Sequence, residues 1–203
     1  QTRNMKNNLR KDLKLISELI NSNEKVLDIG CGDGNLLSHL MKIKKVECRG
    51  IELSQTGVNE CVKKGLSVIQ GDANFDLNDY PDHSFTTAIL SQTIHAMIYP
   101  DNVIENLIRI AKRAIISFPN FGYWKIRRDL FLSGLMPKNS ALPFEWYNTP
   151  NIHLCSIKDF KNFCDKKGIK INEFLYLNEE GEKLGNILNN FRAYQAIFCV
   201  SKK

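Results

Sequence analysis

Three carboxylates stand at the ends of three apolar runs: Asp28 within KVLDIGCGDGN (25–35), Glu52 near the close of VECRGIEL (46–53), and Asp72 in QGDAN (70–74). Gly30, Gly32 and Gly34 alternate with Cys31 and Asp33 directly after the first run. Glycine has no Cβ and tolerates positive φ, so a loop of this kind lets the backbone come close to a ligand. Its spacing departs from the dinucleotide fingerprint GxGxxG, whose third glycine would fall on Asn35, and no Lys-Ser or Lys-Thr follows to make a phosphate-cradling P-loop.

Charge narrows the ligand further. A pyrophosphate would sit beside Asp28 and Asp33 with no Lys or Arg in the loop, and like charges at that range repel. S-adenosylmethionine (SAM) carries a sulfonium, an α-ammonium and no phosphate, so Asp28 can pair with its positive portion, directly or through water. Glu52 can accept both ribose hydroxyls, a device shared with dinucleotide enzymes. Asp72 can accept from the adenine amino group, with Leu53 and Ala73 as apolar walls. With Gly30, Cys31, Gly32, Gly34 and Ser91, these residues form the expected site for SAM or S-adenosylhomocysteine. Singly, each carboxylate also has an ordinary role: Asp28 as a helix cap, Glu52 as a solvated charge, Asp72 as a turn former.

Elements of alternating type must position these groups. Leu9, Leu13, Ile16 and Ile20 recur at helical spacing and predict an amphipathic helix over 9–20. β-like runs follow at 25–30, 46–53, 66–71, 85–91 and 114–118, each beside a helical pattern; in NVIENLIRIAKR, Val103, Leu107 and Ile110 mark one helix face. Such alternation predicts an α/β three-layer sandwich, a doubly wound parallel sheet with helices on both faces. Its carboxyl edge is where open α/β sheets bind ligands. INEFLYLN (171–178) and RAYQAIFCVS (192–201) have no clear crossover helix between them, which predicts an antiparallel pair at one edge.

The length of 203 residues suits one domain over 1–203, with the segment 120–154 as an insert. With 43% hydrophobic and 25% charged residues the chain reads as globular, and no apolar run reaches the roughly 20 residues that span a bilayer, so no membrane association is expected. Six cysteines lack CxxC or zinc spacing, so no metal is expected, and reduced thiols in a cytoplasm fit best. The net charge of +6 is spread out, only Lys125, Arg127 and Arg128 clustering, so no nucleic-acid partner is expected.

VLDIGCGDG, IEL, GDA and the terminal strand pair together resemble the class I SAM-dependent methyltransferase fold, which implies a seven-stranded sheet, mostly parallel, with one antiparallel edge strand. Within it, ILSQTIHAM, SFPNFGYWKIRRDLFLSGLMP and ALPFEWYNTPNIHLCSIKDF are similar to the methionine biosynthesis protein family MetW, a likeness running from about Leu9 to the C-terminus. His95 stands where that family is expected to carry Gln, and Lys11 where it is expected to carry Pro. The resemblance implies a role with a homoserine O-acyltransferase as partner, and attaches no methyl acceptor.

Methyl transfer would need an acceptor in line with the sulfonium and often a base. Enzymes that methylate base amino groups carry Asn or Asp, Pro-Pro and an aromatic after the fourth strand, whereas Ser91-Gln92-Thr93-Ile94 stands here. His95 is the candidate base, with a hydrogen-bonded structural histidine as the alternative; His39 and His83 are expected to face solvent. Gln92, Tyr123, Trp124 and His153 are the candidate surface for a small-molecule acceptor or a partner. The aromatic insert reads as a lid, as a docking surface, or as a segment tied to its own core.

Overall fold

The computed structural model describes residues 9–139 and 142–203. Residues 1–8, included in the single-domain expectation, and 140 and 141 of the insert lie outside them. Seven strands form one sheet: β1 (Lys25–Ile29), β2 (Glu47–Glu52), β3 (Val68–Gln70), β4 (Phe85–Ser91), β5 (Ala111–Pro119), β6 (Ile169–Leu177) and β7 (Gln195–Lys202), in the order β3-β2-β1-β4-β5-β7-β6. β1 to β5 pair in parallel, and β7 runs antiparallel to both β5 and β6. The expected antiparallel pair forms that edge, with β7 as the reversed strand and β6 outermost.

Adjacent residues along the buried strands feed opposite layers, as side chains in a strand must. Val26, Ile89, Ile115 and Ile197 pack with Ile16 of α1 (Lys11–Glu18), Leu37 and Leu40 of α2 (Asn35–Lys44), and Cys61 of α3 (Gln55–Lys63). Leu27, Leu90, Ile116 and Phe198 pack with Leu107 of α4 (Pro100–Ile110) and Phe160 of α6 (Ile157–Lys167). Phe118, Phe160 and Phe198 close this second layer with ring centroids 4.8–5.9 Å apart.

Several predicted boundaries move: the run 66–71 pairs only over Val68–Gln70, and the run 192–201 begins at Gln195 because Asn189–Arg192 is a short helix. The opening helix is shorter than 9–20: Arg10 is extended, and Leu19 and Ile20 close the last turn with tighter bonds to Ile16 O and Ser17 O. Leu9, Ile16 and Ile20 are buried as the spacing predicts. The helix predicted through Arg113 ends at Ile110, because Ala111, Lys112 and Arg113 already belong to β5, where Arg113 pairs with Thr87 and reaches Glu24 at 2.9 Å.

The insert leaves the sheet after β5 and holds α5 (Trp124–Ser133). Asn120, fully buried, clamps its base. Its Nδ2 donates to Ala193 O (2.7 Å) and Asn190 O (3.2 Å), while its Oδ1 accepts from Gly122 N (3.0 Å) and Ile157 N (3.1 Å). Phe121 N donates to Cys155 O at 3.1 Å, so the two ends of the insert lie side by side.

Candidate functional site

The glycine loop turns sharply between β1 and α2, with φ of 68°, 56° and 73° at Gly30, Gly32 and Gly34, a region that side-chain-bearing residues rarely adopt. Gly30 N donates to Ile51 O (2.8 Å), which ties the loop to β2. Gly32 N donates to Glu52 Oε2 (2.8 Å), and Ser54 N donates to Glu52 Oε1 (2.9 Å), so Glu52 braces the loop and keeps a lone pair on each oxygen. Gly57, on α3, allows this approach: a Cβ there would stand 2.9 Å from Gly32 O and 2.8 Å from Glu52 Cγ.

Asp28 differs from the other acids. It is 3% exposed, has no hydrogen-bond partner among the described residues, and lines a cleft of about 230 Å³. Burial, with the Glu52 charge second, pushes its carboxyl up to about 7. It caps no helix, since the residue before α2 is Gly34. The same cleft is lined by Gly30, Cys31, Gly32 and Ser91 of the predicted set. Cys31 is a buried thiol whose ionisation burial opposes, so it offers shape and not a nucleophile.

Leu53, Asp72 and Ala73 lie farther along the carboxyl edge, outside that cavity. Gly71 N donates to Glu52 O at 3.1 Å, which sets the β3 end beside the β2 end. Asp72 does form a turn, its Oδ1 accepting from Asn74 N (2.9 Å) and Nδ2 (2.8 Å), and its Oδ2 has no partner among the described residues. Leu53 is exposed and Ala73 buried.

Several groups at the site escaped the sequence reading. Leu9, Arg10 and Leu13 wall the cleft from the N-terminal side. Lys64 of the α3 end reaches Asp33 O (2.6 Å) and Asn35 Oδ1 (2.9 Å), with its carboxylate partner Asp33 Oδ2 at 3.4 Å. The loop itself carries no Lys or Arg, and folding brings two cations beside it, Lys64 against Asp33 and Arg10 at the cleft wall. The charged run Arg10-Lys11-Asp12 at the start of α1 is the sequence signal for a polar wall there.

A second cleft, of about 530 Å³, starts where Ser91 gives way to Gln92. Gln92 holds φ at 55°, fixed by Gln92 N donating to Ser117 O (2.9 Å), and is one of few non-glycine residues in that conformation. His95 forms part of the wall. It is 3% exposed, its Nε2 lies 3.6 Å from Cys155 Sγ, and burial, with the His153 charge second, pushes it down to about 4. A histidine held neutral at that value is a weak proton acceptor near pH 7. His153 is exposed, with Nε2 3.3 Å from Ile98 O, and His83 is exposed while His39 is half-buried.

Tyr123 is placed differently from the expectation of a binding surface. It is buried, with its ring 5.6 Å from Tyr194 and 5.9 Å from Trp124, in a small cluster with Ile126 and Leu142. Its large apolar ring completes the core of the insert, and half-buried Trp124 packs on it. Phe131, Trp146 and Tyr147 instead face solvent, at 87%, 75% and 70% exposure.

The family described as methionine biosynthesis protein MetW matches residues 10–200. The chain belongs to the MetW family. A bifunctional methionine biosynthesis protein MetXA/MetW of Rhodopirellula baltica is 29% identical over 186 residues, covering 87% of this chain and 30% of that protein. Ajmaline N-methyltransferase of Rauvolfia serpentina is 30% identical over 94 residues, 42% of this chain and 32% of its own. The MetW-family chain thus spans about a third of the length of these curated relatives. Among solved structures, a SAM-dependent methyltransferase of Thermotoga maritima superposes with a TM-score of 0.66 at 18% identity, over 95% of this chain and 88% of that one. One from Archaeoglobus fulgidus gives 0.66 at 16% identity, over 94% of each. The fold is that of SAM-dependent methyltransferases. No described helix is long and apolar enough to cross a membrane.

Proposed function

We propose that this MetW-family protein binds SAM, or S-adenosylhomocysteine, and acts with or regulates a homoserine O-acyltransferase in the cytoplasm, as a single methyltransferase-like unit. The observation that carries the cofactor reading is Asp28, a buried carboxylate without a hydrogen-bond partner among the described residues, which lines the cleft beside the glycine loop. A cationic ligand compensates for that arrangement, whereas an anionic one aggravates it. Asp28 would hold the ammonium, Glu52 the ribose hydroxyls with its remaining lone pairs, and Asp72 Oδ2 the adenine amino group. When bound, SAM supplies a methyl group activated on a sulfonium.

The relative that joins MetXA and MetW in one chain supports the partner reading. So do the exposed Phe131, Trp146 and Tyr147, side chains of the kind that anchor interfaces. Calorimetry with SAM and S-adenosylhomocysteine tests the cofactor; Asp28→Asn should weaken SAM at least tenfold, and equal affinity would refute the assignment. Mixing with the acyltransferase tests the partner. A complex at about 10 µM and a changed acyltransferase rate are expected, and the absence of both would overturn it.

A second reading, an active methyltransferase on a small acceptor, is favoured by the cleft that opens beyond Ser91. Because His95 is held neutral and is a weak base, that acceptor would have to present an atom already able to attack. Transfer of labelled methyl to a component of a metabolite extract tests it, and no transfer with SAM bound would refute it.

A further inference from the structure

The cleft beyond Ser91 has a polar composition that the cofactor reading does not use. Among the described residues its lining shares only Arg10 with the cofactor cleft. Arg10 and Asp12 sit in its wall as a fork-to-fork pair, Nε donating to Oδ1 (3.2 Å) and Nη2 to Oδ2 (3.0 Å). Arg10 is 61% exposed at its side chain and Asp12 only 10%. Each Asp12 oxygen carries one bond and keeps a lone pair, and the guanidinium keeps unused N–H groups. Gln195 lines the same cleft, but its Nε2 is enclosed by protein, with no acceptor among the described residues. Gln92 Nε2 has only a 3.5 Å contact, to Ser117 Oγ.

The half-buried amide of Gln92, with only that long contact, can donate to an acceptor that arrives from the cleft. The charges restrict what arrives. Arg10 and Asp12 cancel and His95 is neutral, so the wall carries no net charge while presenting one fixed positive and one fixed negative group. A ligand with a single charge would gain from one and be repelled by the other. A ligand with both charges side by side would match each. Pro119, Pro143 and Phe144 line the same cleft and supply an apolar wall for a side chain.

We propose that this cleft is a binding site for a zwitterionic α-amino acid, its ammonium held by Asp12 and its carboxylate by Arg10 and the amide of Gln92. The volume, about 530 Å³, lies within the range of small-molecule sites. The site goes beyond the cofactor assignment and does not depend on which ligand fills the first cleft. It lies next to that cleft, joined to it at Arg10 and at the Ser91–Gln92 peptide.

The test is a binding screen, by calorimetry and ligand-observed NMR, of L-α-amino acids against the whole protein, alone and with excess S-adenosylhomocysteine. Each amino acid that binds is compared with its matching amine and carboxylic acid, as L-norvaline with n-butylamine and n-pentanoate. At least one amino acid should bind, about tenfold or more tightly than either half-molecule, since each lacks one charge-assisted contact. It should still bind when S-adenosylhomocysteine is present. Asp12→Asn should weaken it about tenfold, and Gln92→Met should weaken it without changing S-adenosylhomocysteine affinity. Failure of every amino acid at about 10 mM would overturn the proposal, as would half-molecules binding equally well or affinity unchanged in both variants. Failure of S-adenosylhomocysteine alone to bind would count against the cofactor reading and leave the amino-acid result interpretable.

Discussion

Replacing Asp28 by Asn should stabilise the protein while impairing its ligand binding. The carboxyl moves from an ordinary 3.8 to about 7 on folding, through burial first and Glu52 second. At about 1.4 kcal/mol per pH unit, that corresponds to roughly 4 kcal/mol of strain in the ionised form. The sign follows from linkage. Between pH 3.8 and about 7 the folded state holds a proton that the unfolded state has released, so this group's contribution to stability falls as pH rises through that window. Above pH 7 the whole penalty is present; below 3.8 it is absent.

The Asn variant cannot ionise, so urea unfolding without ligand should show it more stable than wild type at pH 8, by up to about 4 kcal/mol, and closely matched at pH 4. SAM affinity should behave oppositely. In wild type it should weaken about tenfold per unit as pH falls below 7, while in the variant it is weak and nearly flat. Equal stability of the two proteins at pH 8, together with SAM affinity that ignores both pH and substitution, would refute the assignment of Asp28 as the ligand's anionic partner.

His95 should make the protein acid-sensitive: its folded value, about 4, lies below the ordinary 6.5, so stability is lost as pH falls between them, and His95→Gln should remove that loss in urea titrations at pH 4.5 and 7. Asp28 contributes the opposite slope in much of that window, so each variant is judged against wild type. Gly57→Ala should displace the glycine loop, because the new Cβ meets Glu52 Cγ and Gly32 O, costing about 1–3 kcal/mol of stability and a measurable part of SAM affinity by calorimetry. Asn120→Leu should cost about 3 kcal/mol in denaturant titration, since two buried carbonyls and two buried N–H groups lose their partner.

The strand order near the site was legible because alternating apolar runs and helical patterns specify a doubly wound sheet, and the acids at the run ends then fall on one edge. Asp28 was legible as a carboxylate against a glycine loop. Its burial was not, because that depends on how closely the loop, β2 and the N-terminal segment pack around it. Arg10 and Lys64 reach the site from elements 18 residues before Asp28 and 31 after Asp33, a proximity that no local pattern encodes. Tyr123 misled because an aromatic in a Pro-divided stretch looks the same whether it faces solvent or a small local core. The contacts with Ile126, Leu142 and, from the far end of the chain, Tyr194 separate the two.

The clamp at Asn120 closes the insert at its base. The chain departs after β5 and returns at Cys155 with the two points hydrogen-bonded to one another, so the excursion is a closed ring on the outside of the sheet. A short turn joining the regions of Phe121 and Cys155 would shorten that ring by about three doublings, returning roughly 2 kcal/mol of closure entropy against the loss of the cluster around Tyr123. The ring still answers to the sheet: Ile152 N and His153 N donate to His95 O, and Pro143 and Phe144 line the second cleft, so a change in its length reaches the ligand edge.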